Sequence, residues 1–276
     1  MIDISVEERK ALILNAALLL RLEQLVHLTD KDRSAFLAAM EPVRKAPPNR
    51  DLNRYGEHPT GVRFIQAGFA CRQIGLPDGR RQILGLLLPG DICDACSLPA
   101  PAMDHSICAL TTVIFSEMSR ASLANLVEAR PRIGEALWRS ALVNEAMLYE
   151  RITSLGQRSA KERLAHFLCE VFVRNRAVGL TTGMQCNLPL SQSDLADTLG
   201  LSLVHTNRSL QALRADGLIR LESRLLTIID FDRLQEKAHF NPKYLHFDRD
   251  IEDVALPINL IAVTNRYQQD RAFSMP

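Results

Sequence analysis

Two short helix-forming runs separated by a single glycine, within residues 190–218, restrict the fold of this chain more than any other feature. Ser191 followed three residues later by Asp194 is a helix-start signature, and Leu195, Ala196 and Leu199 then fall on one face. Gly200 breaks that helix, and Ser202 can cap a second one held by Leu203, Thr206, Leu210 and Leu213 and ended by Gly217. Two short helices joined by a glycine turn form the helix-turn-helix unit, whose second helix enters the DNA major groove.

The outward face of that second helix carries Val204, His205, Asn207, Arg208 and Gln211. Arg208 suits guanine, Asn207 and Gln211 suit adenine, and Val204 suits a thymine methyl group. Strands at 218–221 and 225–229, hinged around Glu222-Ser223-Arg224, would form a wing with Arg224 at its tip, in reach of a phosphate. The capped starts at Ser191, Gln192 and Ser202 would present backbone N–H groups to phosphates. The alternative is a helical hairpin packed on another domain with a solvated polar face.

Charge does not decide between them. The chain has 33 Lys+Arg against 32 Asp+Glu, a net charge of +1, and residues 187–247 hold seven basic and seven acidic side chains. A non-specific nucleic-acid binder needs a basic excess, so any DNA contact here must work through local geometry. With 276 residues, 47% of them apolar and 24% charged, the chain can form one large or two modest globular domains with a real core. No Ser/His/Asp, paired-carboxylate or phosphate-loop arrangement points to an enzyme.

Upstream, Leu12, Ala16, Leu19, Leu22 and Val26 recur at helical spacing, giving an amphipathic N-terminal helix over residues 1–28. Its apolar run is too short for a membrane span and lacks the flanks of a signal peptide, so a cytoplasmic location with no membrane partner is expected. Thr29 with Asp32 opens another short helix. Residues 62–116 then alternate short apolar runs with turns, among them Pro77-Asp78-Gly79 and Pro89-Gly90-Asp91, the texture of a β-barrel or roll. Ser119 opens a short helix, and Pro131 starts a much longer one. Along it Leu137, Ala141, Asn144, Leu148, Arg151 and Leu155 follow coiled-coil spacing, which reads either as a dimer seam or as a helix packed on its own domain. Trp138 is expected under the roll, and His166 and Cys169 in the core of the following helix. Asp78, paired with Arg80 or Arg81, reads as a solvated turn.

From these residues the chain resembles the Crp/Fnr family of bacterial transcription regulators over about 29–247. The resemblance rests on Gly68, Leu76-Pro77-Asp78-Gly79-Arg80-Arg81-Gln82 and Leu88-Pro89-Gly90-Asp91 in front. Behind them it rests on residues 157–165 and on Val204-His205-Thr206-Asn207-Arg208. It implies an α+β fold: a jelly-roll-like β-roll effector domain (29–130), a dimerisation helix (131–156), a winged helix-turn-helix domain (157–247) and an extension (248–276). In the extension, the apolar patch at 254–263 is expected to add a strand or helix to the winged domain. The resemblance also implies a homodimer through residues 131–156 on double-stranded DNA with a palindromic operator, in contact with RNA polymerase.

Departures from the family pattern bear on the effector. The Gly-Glu and Arg-Ser pairs that hold a cyclic nucleotide correspond here to Asp94-Ala95 and His105-Ser106, and Leu148 and Tyr149 replace the hydroxyl pair that meets the purine. These changes remove the bidentate anchors a cyclic phosphate needs and argue against cyclic AMP by the usual mode. No cysteine precedes Cys71, so the N-terminal iron–sulfur device of oxygen-sensing members is absent. Val204 stands where many members carry a base-reading Glu, so the half-site should differ from the best-known ones. Cys93 and Cys96, with Cys71 and Cys108, leave a redox, metal, iron–sulfur or haem role open against the alternative of buried apolar thiols. An effector-free constitutive binder also stays open.

Overall fold

The computed structural model describes residues 6–93 and 101–247. Helices α1 (Val6–Leu25) and α2 (Asp30–Ala38) precede eight strands: β1 (Arg44–Ala46), β2 (Asp51–Asn53), β3 (Gly61–Ala67), β4 (Ala70–Gly75), β5 (Arg81–Leu87), β6 (Ile92–Cys93), β7 (Ser106–Ala109) and β8 (Val113–Ser119). They pair into two four-stranded sheets, ordered β1-β8-β3-β6 and β2-β7-β4-β5. Because side chains alternate across a strand, each sheet has two faces to cover. The facing sides enclose Ile65, Ala70, Leu87, Ile107 and Val113. Between β4 and β5 the Pro77-Asp78-Gly79 turn is exposed, and the Asp78 carboxylate accepts from the Arg80 backbone N–H at 3.1 Å and from Arg80 Nε at 2.8 Å.

The other side of the first sheet is covered by α1, α2, α3 (Arg120–Ala129) and the start of α4 (Pro131–Gln157). Leu18, Leu22, Phe36, Val62, Phe64, Met118 and Ile133 form this layer. Phe36 meets Phe64 edge-on at 5.3 Å, an aromatic pair worth about 0.5–1.5 kcal/mol beyond its buried area. Thr29 and Asp32 cap α2 reciprocally, as their spacing predicts.

The other side of the second sheet carries α5 (Ala160–Arg176). Phe69, Cys71, Ile83, Leu86 and Cys108 from the roll share one cluster with Leu164, Phe167, Leu168 and Phe172 of α5. After the short β9 (Thr181–Thr182), that cluster runs on through the rest of the fold: β10 (Gln185–Asn187), α6 (Gln192–Leu199), α7 (Leu203–Ala215), β11 (Ile219–Glu222), β12 (Leu225–Ile228), α8 (Phe231–Ala238) and a 3-10 turn at Pro242–Leu245. The small sheet is ordered β11-β12-β10-β9.

A buried ionic group pins these layers together. Asp91, just after β5, accepts from Arg21 of α1 at 3.1 Å, from Arg174 of α5 and from the Leu88 N–H at 2.7 Å. Burial raises the Asp91 pKa, but the facing guanidiniums of Arg174 and Arg21 outweigh it and hold the carboxyl below its ordinary range.

Three expectations need correction. In α1 the buried centre is Ala17, Leu18, Leu22 and Leu25, while Ala16, Leu19 and Val26 are half-buried flanks. In α4 the positions read at coiled-coil spacing do not share one environment, Leu148 and Leu155 being exposed and others turned inward. Leu137 is buried in the layer under the roll, and Arg151 turns inward to Glu170 at 3.5 Å. The exposed apolar face is instead Trp138, Leu142, Tyr149 and Ile152, flanked by Leu148 and Leu155. Trp138, expected under the roll, is 67% exposed. Residues 1–5, 94–100 and 248–276, including the apolar patch at 254–263, lie outside the described residues.

His166 and Cys169 are buried on α5 as expected. His166 stacks on Tyr244 and meets Phe240 edge-on, and burial pushes its pKa down to about 4, against the pull of Glu170. A histidine depressed in the fold stays neutral there while the unfolded chain takes up a proton. Its contribution is therefore whole above pH ~6.5 and falls away towards pH ~4, up to about 3 kcal/mol. Denaturant unfolding of His166→Phe across that window should lack this component; an unchanged pH slope would count against it.

Candidate nucleic-acid interface

Local hydrogen bonds build the helix-turn-helix unit. Ser191 Oγ accepts from the Asp194 N–H at 3.0 Å, and the Asp194 carboxylate accepts from the Ser191 N–H at 2.9 Å, closing a capping box on α6. Gly200 ends α6 at φ +61, and a Cβ there would lie 2.9 Å from Leu155 Cδ2, so the turn presses on the end of α4. Ser202 Oγ then accepts from the His205 N–H at 3.3 Å to start α7.

Thr206, Ser209, Leu210 and Leu213 are the buried positions of α7. Leu203, expected among them, is 50% exposed; Ser209 takes the inner place. Val204, His205, Arg208 and Gln211 are exposed, and Asn207 is half-buried at the edge of that face. Ser191, Gln192 and Ser202 are exposed as well. In the wing, Ser223 and Arg224 both take positive φ, giving a two-residue turn between β11 and β12 with Arg224 exposed at its tip. Arg214 Nη2 donates to the Leu221 carbonyl at 2.7 Å, tying α7 to the wing.

One feature was missed by sequence reasoning. Arg81 leaves the hairpin turn and reaches α6, with Nε 2.7 Å from Asp197 and Nη2 2.5 Å from Asp194. Beside it, Gln82 Nε2 donates to the Asp197 carbonyl at 2.6 Å. The roll therefore holds the first helix of the unit directly. Arg163 Nη1 adds a bond to the Leu199 carbonyl at 2.7 Å. The only sequence signal was a second Arg and a Gln directly after a turn.

Between the second sheet and α4 lies a cavity of about 560 Å³, and α5 forms part of its wall through Glu170 and Arg174. Of the effector residues expected from the sequence, His105 and Leu148 line it. Ser106 Oγ accepts from the Tyr55 N–H at 2.9 Å, while Tyr149 is exposed and its hydroxyl donates to Glu145. Asp94 and Ala95 lie outside the described residues, as does Cys96.

The cysteines divide. Cys71 on β4 and Cys108 on β7 stand opposite each other in register, whereas Cys93 sits in the separate cluster between the sheets. Burial pushes the Cys71 thiol up to about 12 and the Cys108 thiol up to about 11, which keeps both protonated and weakly nucleophilic at neutral pH. Among the described residues, no group of three or more His, Cys, Asp or Glu side chains could hold a metal ion.

Comparison with known proteins matches residues 43–130 to the cyclic nucleotide-binding domain and residues 162–237 to the Crp-like helix-turn-helix domain. The transcriptional activator protein FnrL of Cereibacter sphaeroides is 30% identical over 213 residues, covering 76% of this chain and 85% of FnrL. The chain belongs to the Crp/Fnr family. The transcriptional activatory protein AadR of Rhodopseudomonas palustris, at 31% over 208 residues, covers 75% of this Crp/Fnr chain and 85% of its own. The solved structure of FixK2 from Bradyrhizobium japonicum superposes with a TM-score of 0.63 at 24% identity, over 71% of this chain and 96% of that one. This Crp/Fnr protein is thus a DNA-binding transcription regulator with a cyclic-nucleotide-binding-like roll and a helix-turn-helix reading unit. Among its described residues, no helix is long and apolar enough to cross a membrane.

Proposed function

We propose that this regulator acts in the cytoplasm as a homodimer that reads an inverted-repeat operator with α7 and contacts RNA polymerase when bound. The observation that carries the reading is the one-sided surface of α7. Its inner positions are buried, while Val204, His205, Arg208 and Gln211 project from a capped helix start beside an exposed wing. Arg208, Asn207, His205, Val204 and Gln211 read base edges, and Ser191, Gln192, Ser202 and Arg224 hold the phosphates. The exposed stripe of Trp138, Leu142, Tyr149 and Ile152, spaced at heptad-like intervals along α4, is the face offered to the second copy. Two-fold symmetry then sets half-sites about one helical turn apart.

Selection from random duplex DNA followed by Arg208→Ala tests this. The substitution should weaken the selected site by about 1–3 kcal/mol, roughly 5- to 150-fold, and relax the preference at one base position. Equal losses on selected and random DNA would remove Arg208 from base reading.

A further inference from the structure

The reading above leaves the effector open, and the inference that follows rests on it. We infer that the cavity between the roll and α4 takes a small monoanion with an apolar body, whose charged group is held by Arg151 of α4 and Arg174 of α5. The volume, about 560 Å³, is that of a small-molecule site. Its apolar wall includes Ile74, Leu84, Ile92, Leu137, Met147 and Leu148.

Its polar wall carries an unbalanced charge. At its inner end Arg72, Arg151 and Arg174 line the cavity with one carboxylate, Glu170, beside them among the described residues, and Arg174 also pairs with Asp91 behind the wall. Arg151 and Arg174 both point at the same oxygen, Glu170 Oε1, from 3.5 and 3.7 Å, too far for good hydrogen bonds. The other Glu170 oxygen accepts from the Tyr244 hydroxyl at 2.9 Å. Among the described residues Arg151 Nε is buried with no hydrogen-bond partner, while the guanidinium lies over the Phe167 ring at 5.3 Å. The neighbouring Glu150 is taken by Arg158 at 3.0 Å. A buried cation short of partners is costly, and an anion arriving there is favoured.

The opposite end sets the charge limit. Asp104 and Glu145 line the cavity where it is exposed and would repel a second acidic group. An aliphatic or single-ring carboxylate fits both ends. Bound so, it would touch α4, the roll and α5 together, and α5 belongs to the same hydrophobic cluster as the reading unit. Trp138 and Leu142, on the face proposed for the second copy, line the outer side, so pairing would close the cavity.

The single tryptophan of the chain lines this cavity, so its emission reports occupancy. The full-length protein would be titrated with 4-phenylbutyrate and with its uncharged amide, and operator binding measured on the same samples. The carboxylate should bind at least about tenfold more tightly than the amide. Arg151→Met should abolish that preference and Arg151→Lys retain part of it, both with unchanged circular dichroism. Equal binding of acid and amide, no saturable change with either, or a preference that survives Arg151→Met would overturn the inference. DNA binding without carboxylate binding removes only the ligand assignment; carboxylate binding without any selected DNA site removes only the operator reading.

Discussion

Asp91→Ala should lower the stability of this protein by about 3–5 kcal/mol, because it leaves two guanidiniums buried without their shared carboxylate. Arg21 and Arg174 side chains are only 7% and 3% exposed, so solvent cannot replace what is lost. Burial already lowers the Arg21 pKa, and Asp91 is what opposes that loss of charge. The midpoint of denaturant unfolding measures the effect. A loss under about 1 kcal/mol would mean that water enters and that the group is not a closed ionic cluster. The Asp91 carboxyl is held below its usual pKa, so its contribution is present above pH ~3.9 and drains away as pH falls through the depressed folded value. Wild type and Asp91→Ala should therefore converge in strong acid.

Gly68→Ala should be nearly as damaging. Gly68 links β3 to β4 at φ +84, where an added Cβ would stand 2.1 Å from the Thr112 carbonyl oxygen and 2.9 Å from Thr111 Oγ1. Left-handed backbone costs a residue with a Cβ roughly 1–2 kcal/mol, and forcing apart a packed contact adds about 1–3 kcal/mol. The obstacle is backbone, and Thr111 is itself committed, its Oγ1 accepting from the Phe69 N–H at 2.9 Å. A combined loss of roughly 2–5 kcal/mol is expected in denaturant unfolding. Gly79, by contrast, has nothing within 4 Å of an added Cβ, so Gly79→Ala separates conformational strain from collision. If the two alanine variants lost equal stability, the collision would have relaxed at no cost.

What the sequence disclosed follows from the range of each interaction. The caps at Thr29, Ser119, Ser191 and Ser202 close within three residues of chain, as does the turn at Pro77-Asp78-Gly79. Helix starts and the helix-turn-helix unit were therefore legible. The ionic contacts were not, since Asp91 meets Arg21 across 70 residues and Arg174 across 83, and Arg81 meets Asp194 across 113. Nothing in local spacing selects those partners from 33 basic and 32 acidic residues. The long helix was legible in part. Two apolar stripes lie side by side on α4, one against the roll and one exposed, and a heptad pattern fits either with a one-residue offset. The spacing reading followed Leu137, which the roll buries, rather than Trp138, which it does not.

One apolar cluster passes from Phe69 and Ile83 of the roll through Leu164 and Phe172 to Leu213 of α7 and on to Ile219 and Leu234. Chains whose parts meet only across a polar seam open piecewise, each part with its own protection against solvent exchange. Here the slowest amide protons of β5 and of β11 should exchange through the same opening event and with the same free energy. Any compound that slows exchange in the roll should slow it equally beneath the DNA-reading surface, some distance from where the compound sits.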